Sequence, residues 1–127
     1  MYIFSNYEKT VPGRMKKIMV VDDNSMMREM LKRVVDPFAK ELFEYDNGED
    51  AVTAFTDVQP DVVLMDIRME GMDGIVATRK ILEQYPDAKI IIVTDYGDEV
   101  FQDAAKNAGA AGYVLKENLF ELRTMLV

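Results

Sequence analysis

Four places in the chain put a reactive side chain directly after a short apolar run. Asp22-Asp23 follows Ile18-Met19-Val20-Val21, Asp66 follows Val62-Val63-Leu64-Met65, Thr94 follows Ile90-Ile91-Ile92-Val93, and Lys116 follows Gly112-Tyr113-Val114-Leu115. Such runs mark strands buried on both faces. In an open parallel sheet the carboxyl ends of the strands share one edge, and ligands bind in the crevice there. Three carboxylates, a hydroxyl and an ammonium then converge. The carboxylates repel one another unless a cation or a proton sits among them. Taken singly, each residue has a plainer reading: an Asp or Thr after a strand forms a turn or caps a helix, and a Lys there is solvated. The joint occurrence is what points to chemistry.

The chain contains neither histidine nor cysteine. That excludes Ser-His-Asp triads, histidine bases, thiolate catalysis, disulfides and zinc-thiolate sites. Oxygen-only ligation by carboxylates favours Mg²⁺, which keeps several of its waters. Such a site suits phosphoryl transfer, where catalysis is mostly positioning and charge stabilisation. A carboxylate can act as nucleophile and form an acyl phosphate. Mg²⁺ covers one phosphoryl oxygen, Lys116 pairs with another, and Thr94 with its backbone donates to the third.

At 127 residues the chain fits one domain, and 49% hydrophobic residues suffice for a packed core. The net charge of -8 argues against direct nucleic-acid binding. No stretch approaches the ~20 apolar residues of a membrane span, and the N-terminus lacks a signal-peptide run. A cytoplasmic protein with no membrane partner is the expectation.

Residues 1–14 differ from the rest. They mix Tyr2, Phe4 and Tyr7 with polar residues and end in the turn signal Pro12-Gly13. They read as a leader (a tag remnant, an over-called start before Met15, or a flexible arm that packs on the domain), with the domain proper over 15–127. From Lys17, strand and helix signals alternate. Strands are predicted over Ile18–Val21, Leu42–Tyr45, Val62–Met65, Ile90–Val93 and Gly112–Leu115. Helices are predicted over Ser25–Val35, Glu49–Val58, Gly74–Tyr85, Glu99–Asn107 and Asn118–Met125. Asp36-Pro37 stops the first helix, Asn47-Gly48 is a turn, and Gly109 is a C-cap. Met26, Met27, Met30, Leu31, Val34 and Val35 recur at helical spacing, and the methionines read as packing rather than as a recognition patch. Five strands alternating with five helices imply an α/β fold: a five-stranded parallel sheet with helices on both faces.

Over roughly Lys17 to Leu126 the chain resembles the receiver domain of two-component response regulators. The likeness rests on Val20-Val21-Asp22-Asp23-Asn24, Leu64-Met65-Asp66-Ile67-Arg68-Met69, Gly71-Met72-Asp73-Gly74, Ile91-Ile92-Val93-Thr94 and Gly112-Tyr113-Val114-Leu115-Lys116, in that order. Each piece is weak alone, and the ordered set is specific. The resemblance implies a doubly wound, flavodoxin-like or CheY-like sheet. It implies Asp66 as phosphoacceptor, with a phosphohistidine on a histidine kinase or phosphotransfer protein as donor. Asp23, Asp66 and the backbone carbonyl of Arg68 would ligate Mg²⁺, with Asp22 acting mainly through water. Lys116 would pair with Asp66 or its phosphate. Thr94 would be the switch hydroxyl and Tyr113 the aromatic that turns inward with it. The surface of the fourth helix, fifth strand and fifth helix would then engage an output domain, an effector or a second copy of the chain.

Several residues depart from that pattern. Glu70 and Glu117 stand where the family often has proline, which loosens the loop after Asp66 and leaves the isomer of the Lys116–Glu117 bond open. Asp95 follows the switch hydroxyl. It either faces the pocket and repels incoming phosphate, or points outward and caps the fourth helix. Arg68 and Tyr96, two residues beyond Asp66 and Thr94, could stack across the path of the water that removes the phosphoryl group. Three other readings compete with the switch. One is a pseudo-receiver that serves only as an interaction module. Another is a Mg²⁺-dependent aspartyl-phosphate phosphatase, which needs an acid where Arg68 stands. The third is a flavin module, for which Asp22-Asp23-Asn24 has the wrong charge. On the switch reading the domain is not an enzyme in its own right, since it catalyses only its own phosphorylation and dephosphorylation. The end at Val127 fits either a stand-alone regulator or a receiver from a longer protein.

Overall fold

The computed structural model describes residues 2–4 and 16–126. Six strands form one sheet: β1 (Tyr2–Ile3), β2 (Lys16–Val21), β3 (Ala39–Tyr45), β4 (Val62–Met65), β5 (Ile90–Thr94) and β6 (Gly112–Leu115). Five helices connect and cover them: α1 (Ser25–Val35), α2 (Gly48–Val58), α3 (Gly74–Gln84), α4 (Glu99–Ala108) and α5 (Glu121–Leu126). The strand order is β1-β6-β5-β4-β2-β3, with every pairing parallel except β1 against β6. The expected parallel five-stranded sheet is therefore present, with a short antiparallel strand added at its edge.

The two-residue period of a strand divides the core. Ile18 and Val20 of β2 meet Leu31 and Val35 of α1 and Leu122, Met125 and Leu126 of α5. Met19 and Val21 point the other way, onto Ala51 and Phe55 of α2, Ala77 and Ile81 of α3, and Ala105 of α4. Both faces of β2 are thus sealed, which is why its sequence is a continuous apolar run rather than an alternating one. Each fully buried Ile, Leu, Val or Met side chain contributes roughly 1.5–3 kcal/mol to holding the layers together.

Caps set where the helices begin. The side chains of Asn24, Asn47 and Asp73 accept backbone N–H bonds from Met27, Asp50, and Ile75 with Val76, so α1, α2 and α3 start at fixed points after their strands. Asn47-Gly48 is therefore a helix entry rather than a free turn. Gly109, at φ +100, ends α4 as its composition suggests.

Other details differ from expectation or answer what it left open. β3 begins at Ala39, earlier than Leu42, because a 3₁₀ turn over Asp36–Phe38 delivers the chain straight to the sheet edge beside Lys16. The last helix does not start at Asn118. A 3₁₀ turn occupies Lys116–Asn118 and α5 follows from Glu121. Met26 and Met30 face solvent, while Leu31 and Val35 carry the buried stripe of α1. The Lys116–Glu117 bond is trans, with no cis peptide among the described residues. The reading of residues 1–14 lies outside the described residues except for Tyr2–Phe4. Among the described residues no helix is long and apolar enough to cross a membrane.

Candidate functional site

The chain runs from β2 out to β3 on one side and returns to β4 on the other. This reversal opens a crevice beyond the carboxyl ends of β2 and β4. Asp22 and Asp66 stand at those two ends, locked in by the Asp22 N–H donating to Tyr45 O at 3.1 Å and the Asp66 N–H donating to Val21 O at 3.0 Å. Lys116 reaches in from the end of β6. Its Nζ lies 3.0 Å from Asp22 Oδ2 and 3.3 Å from Asp66 Oδ2. Asp23 is exposed at the mouth, yet its carboxylate shares with Asp22 and Asp66 a cluster of oxygens all within 4.8 Å of one another.

One ammonium pairs with two buried carboxylates, and exposed Asp23 adds a third acid beside them. Burial first, then the neighbouring Asp22 charge, pushes the Asp66 carboxyl up to about 6, against the pull of Lys116 and the Ile67 N–H. Burial alone would lower Lys116, but Asp22 and Asp66 outweigh it and hold the ammonium above its ordinary value. Asp22 Oδ1 accepts the Asn24 N–H at 2.9 Å. Asp22 Oδ2 is buried, and its charge partner is the Lys116 ammonium at 3.0 Å. Three clustered carboxylates against one ammonium leave an excess of negative charge that a further cation would balance, and an all-oxygen donor set fits Mg²⁺. The acidic pocket is compatible with that ion.

Thr94 is fully buried at the end of β5, and its Oγ1 accepts the Tyr96 N–H at 3.3 Å. Tyr113 is equally buried on β6, and its hydroxyl donates to Tyr96 O. Burial first, then Asp98 and Tyr2, pushes the Tyr113 phenol up to about 12, so it stays protonated as a donor. The two residues therefore pin the same segment of the loop between β5 and α4. Arg68 lies across this loop, its guanidinium 5.0 Å from the Tyr96 ring centre and 5.7 Å from that of Phe101. Asp95 is exposed and makes no cap: α4 begins after Asp98 with no side-chain cap bond. Glu70 is likewise exposed.

Three supports escaped the sequence reading. Gly74 sits so close to the strand end that a Cβ there would fall 1.7 Å from Asp66 O. Glu49, at the start of α2, accepts the Met72 N–H at 2.6 Å and lies against Gly71 at φ +81, bracing the loop after Asp66. Arg28 donates to Asp22 O at 2.8 Å while paired with Glu44 at 3.0 Å. The tight Gly71-Met72-Asp73-Gly74 run and the acid after Asn47-Gly48 were the available signals for the first two.

Residues 18–126 match the family model described as "Response regulator receiver domain". The chain belongs to that family, and its domain is a receiver domain of two-component response regulators. It is 36% identical over 103 residues to the transcriptional regulatory protein DegU of Brevibacillus brevis, covering 80% of this chain and 44% of that protein. It is 37% identical over 102 residues to the chemotaxis protein CheY of Thermotoga maritima, covering 80% and 85%. A solved two-component response regulator of the LuxR family from Aurantimonas sp. SI85-9A1 superposes with a TM-score of 0.82 at 34% identity, covering 87% of this chain and 81% of that one. The chain spans about half the length of the first curated relatives it matches. Receiver domains are signalling domains rather than typical enzymes.

Proposed function

We propose that this receiver takes a phosphoryl group on Asp66 from a phosphohistidine of a partner kinase or phosphotransfer protein. The observation that supports this best is the buried Asp66 carboxylate held 3.3 Å from Lys116 at the mouth of the β2/β4 crevice. An Asp66 carboxylate oxygen attacks phosphorus in line. A P–O bond forms, the P–N bond breaks, and the imidazole leaves with a proton from solvent. Lys116 shifts from carboxylate to phosphoryl oxygen, and Thr94 turns its hydroxyl toward another. Mg²⁺, held by Asp23, Asp66 and the Arg68 carbonyl with Asp22 acting through water, would supply charge neutralisation at the transferring oxygens. Arg68 stacked on Tyr96 and Phe101 obstructs water's approach and favours a long-lived phosphoform.

Thr94 and Tyr113 then carry the change to the face formed by α4, β6 and α5, altering how an output domain, an effector or a second copy engages it. The domain covers 15–127, works in the cytoplasm beside its donor, and catalyses only its own phosphorylation and dephosphorylation. Intact-mass spectrometry after incubation with acetyl phosphate tests the reading. A mass gain that needs Mg²⁺ and disappears in Asp66→Asn supports it. Release of phosphate from diffusible esters with no stable adduct would replace it with a phosphatase.

A further inference from the structure

We propose that the outer edge of β6 is a docking surface whose resident occupant is the chain's own Tyr2–Phe4, and that its occupancy is coupled to the Asp66 site. The coupling rests on the phosphoacceptor reading of Asp66. β6 would otherwise end the sheet, with a row of backbone groups open to any extended segment. Here β1 fills it: Tyr2 lies opposite Tyr113, Ile3 lies opposite Gly112, and the Phe4 N–H donates to Ala111 O at 3.0 Å. Gly112 leaves room for this approach, since a Cβ there would meet Tyr2 O at 3.3 Å.

The contact is aromatic and centred on one residue. The Tyr2 ring stands edge-on to Tyr113 with centres 6.0 Å apart, and the Phe4 ring lies 6.2 Å from the same side chain. Between them they border Tyr113 on the side where an edge strand is normally open, and Tyr113 is fully buried. From Tyr113 the contacts run inward. Its hydroxyl donates to Tyr96 O, the Tyr96 N–H donates to Thr94 Oγ1, and the Tyr96 ring carries Arg68. Displacing β1 uncovers Tyr113 and frees the Tyr96 segment, so ordering Thr94 around a phosphoryl group then costs more. By linkage, a group bound at Asp66 must tighten β1 by the same factor.

The device is poised to exchange. β1 is two residues long, with Tyr2 at 40% and Ile3 at 53% exposure, so a partner strand or surface that needs the β6 edge has little to displace. The occupant thus both competes for this face and reports on the phosphoryl site.

The test uses the full chain and its Tyr2→Ser/Phe4→Ser variant, with beryllofluoride and Mg²⁺ as the phosphoryl stand-in. The variant should bind beryllofluoride about 5-fold or more weakly, the lower end of ordinary coupling between sites, with Mg²⁺ affinity unchanged. Beryllofluoride should slow exchange of the Phe4 amide proton in the wild type by a similar factor. Equal beryllofluoride affinity in the two chains, or Phe4 exchange indifferent to it, overturns the coupling while leaving Asp66 as acceptor. No Mg²⁺-dependent beryllofluoride binding to the wild type overturns the acceptor reading and the coupling with it.

Discussion

Lys116 Nζ lies 3.3 Å from Asp66 Oδ2, while the other oxygen of that carboxylate accepts the Ile67 N–H at 2.9 Å. One oxygen is fixed by the backbone and the other faces the cation. The same ammonium also touches Asp22, so it neutralises two buried acids at once. Lys116→Ala leaves both without their counter-charge. Breaking one partner out of a buried pair costs about 3 kcal/mol at the low end. Urea unfolding at neutral pH in metal-free buffer should show a loss of that order, with an unchanged m-value.

The raised Asp66 carboxyl makes stability fall as pH rises. Its ordinary value is 3.8 and the folded chain pushes it to about 6, so between those values the folded state holds the proton that the unfolded state has released. Unfolding then takes place with fewer protons bound, and stability is lost across that window rather than gained. Asp66→Asn removes the effect. Without divalent cation the variant should be more stable than wild type at pH 7 by about 1–2 kcal/mol, discounted for residual solvent at the site. The two stability curves should converge as pH falls below 3.8.

Asp23 is exposed and contributes little to the metal-free fold, but it completes the oxygen cluster. Mg²⁺ that binds only the folded state raises stability by about 2.7 kcal/mol at one hundred times its dissociation constant. Calorimetry should find a Mg²⁺-dependent rise in Tm in the wild type, abolished by chelator. Asp23→Asn should lose most of that rise with its metal-free Tm intact.

Gly74 admits the chain beneath the strand end, and a Cβ there would fall 1.7 Å from Asp66 O. No side-chain rotation relieves a clash with backbone. Gly74→Ala should therefore cost about 3 kcal/mol or more in urea unfolding, at the upper end of overpacking effects. Any folded fraction should show weakened Mg²⁺ binding, because Asp66 is carried with its carbonyl.

The central strands were legible because burial on both faces leaves β2, β4 and β5 as unbroken apolar runs. Asp22, Asp66, Thr94 and Lys116 were legible because they break those runs at the same end. β1 was not, since two residues carry no periodicity and Tyr2–Ile3 forms a strand only because β6 offers an open edge. The start of β3 was hidden by Lys40 and Glu41, which are exposed on an edge strand and mask its alternation. Glu49 looked like an ordinary first-turn acid. Its bond to Met72, 23 residues away, is a tertiary fact with no local signature. Asp95 follows Thr94 in sequence, yet it is exposed while Thr94 is fully buried.

The most direct measurement is to locate the phosphoryl group itself. The full chain is incubated with acetyl phosphate and Mg²⁺, the acyl phosphate is reduced with borohydride to homoserine, and peptides are read by mass spectrometry. The expected result is homoserine at position 66, dependent on Mg²⁺ and absent in Asp66→Asn. Homoserine at Asp22 or Asp23 instead, or none under conditions where Mg²⁺ demonstrably binds, would contradict the assignment of Asp66 as the phosphoacceptor.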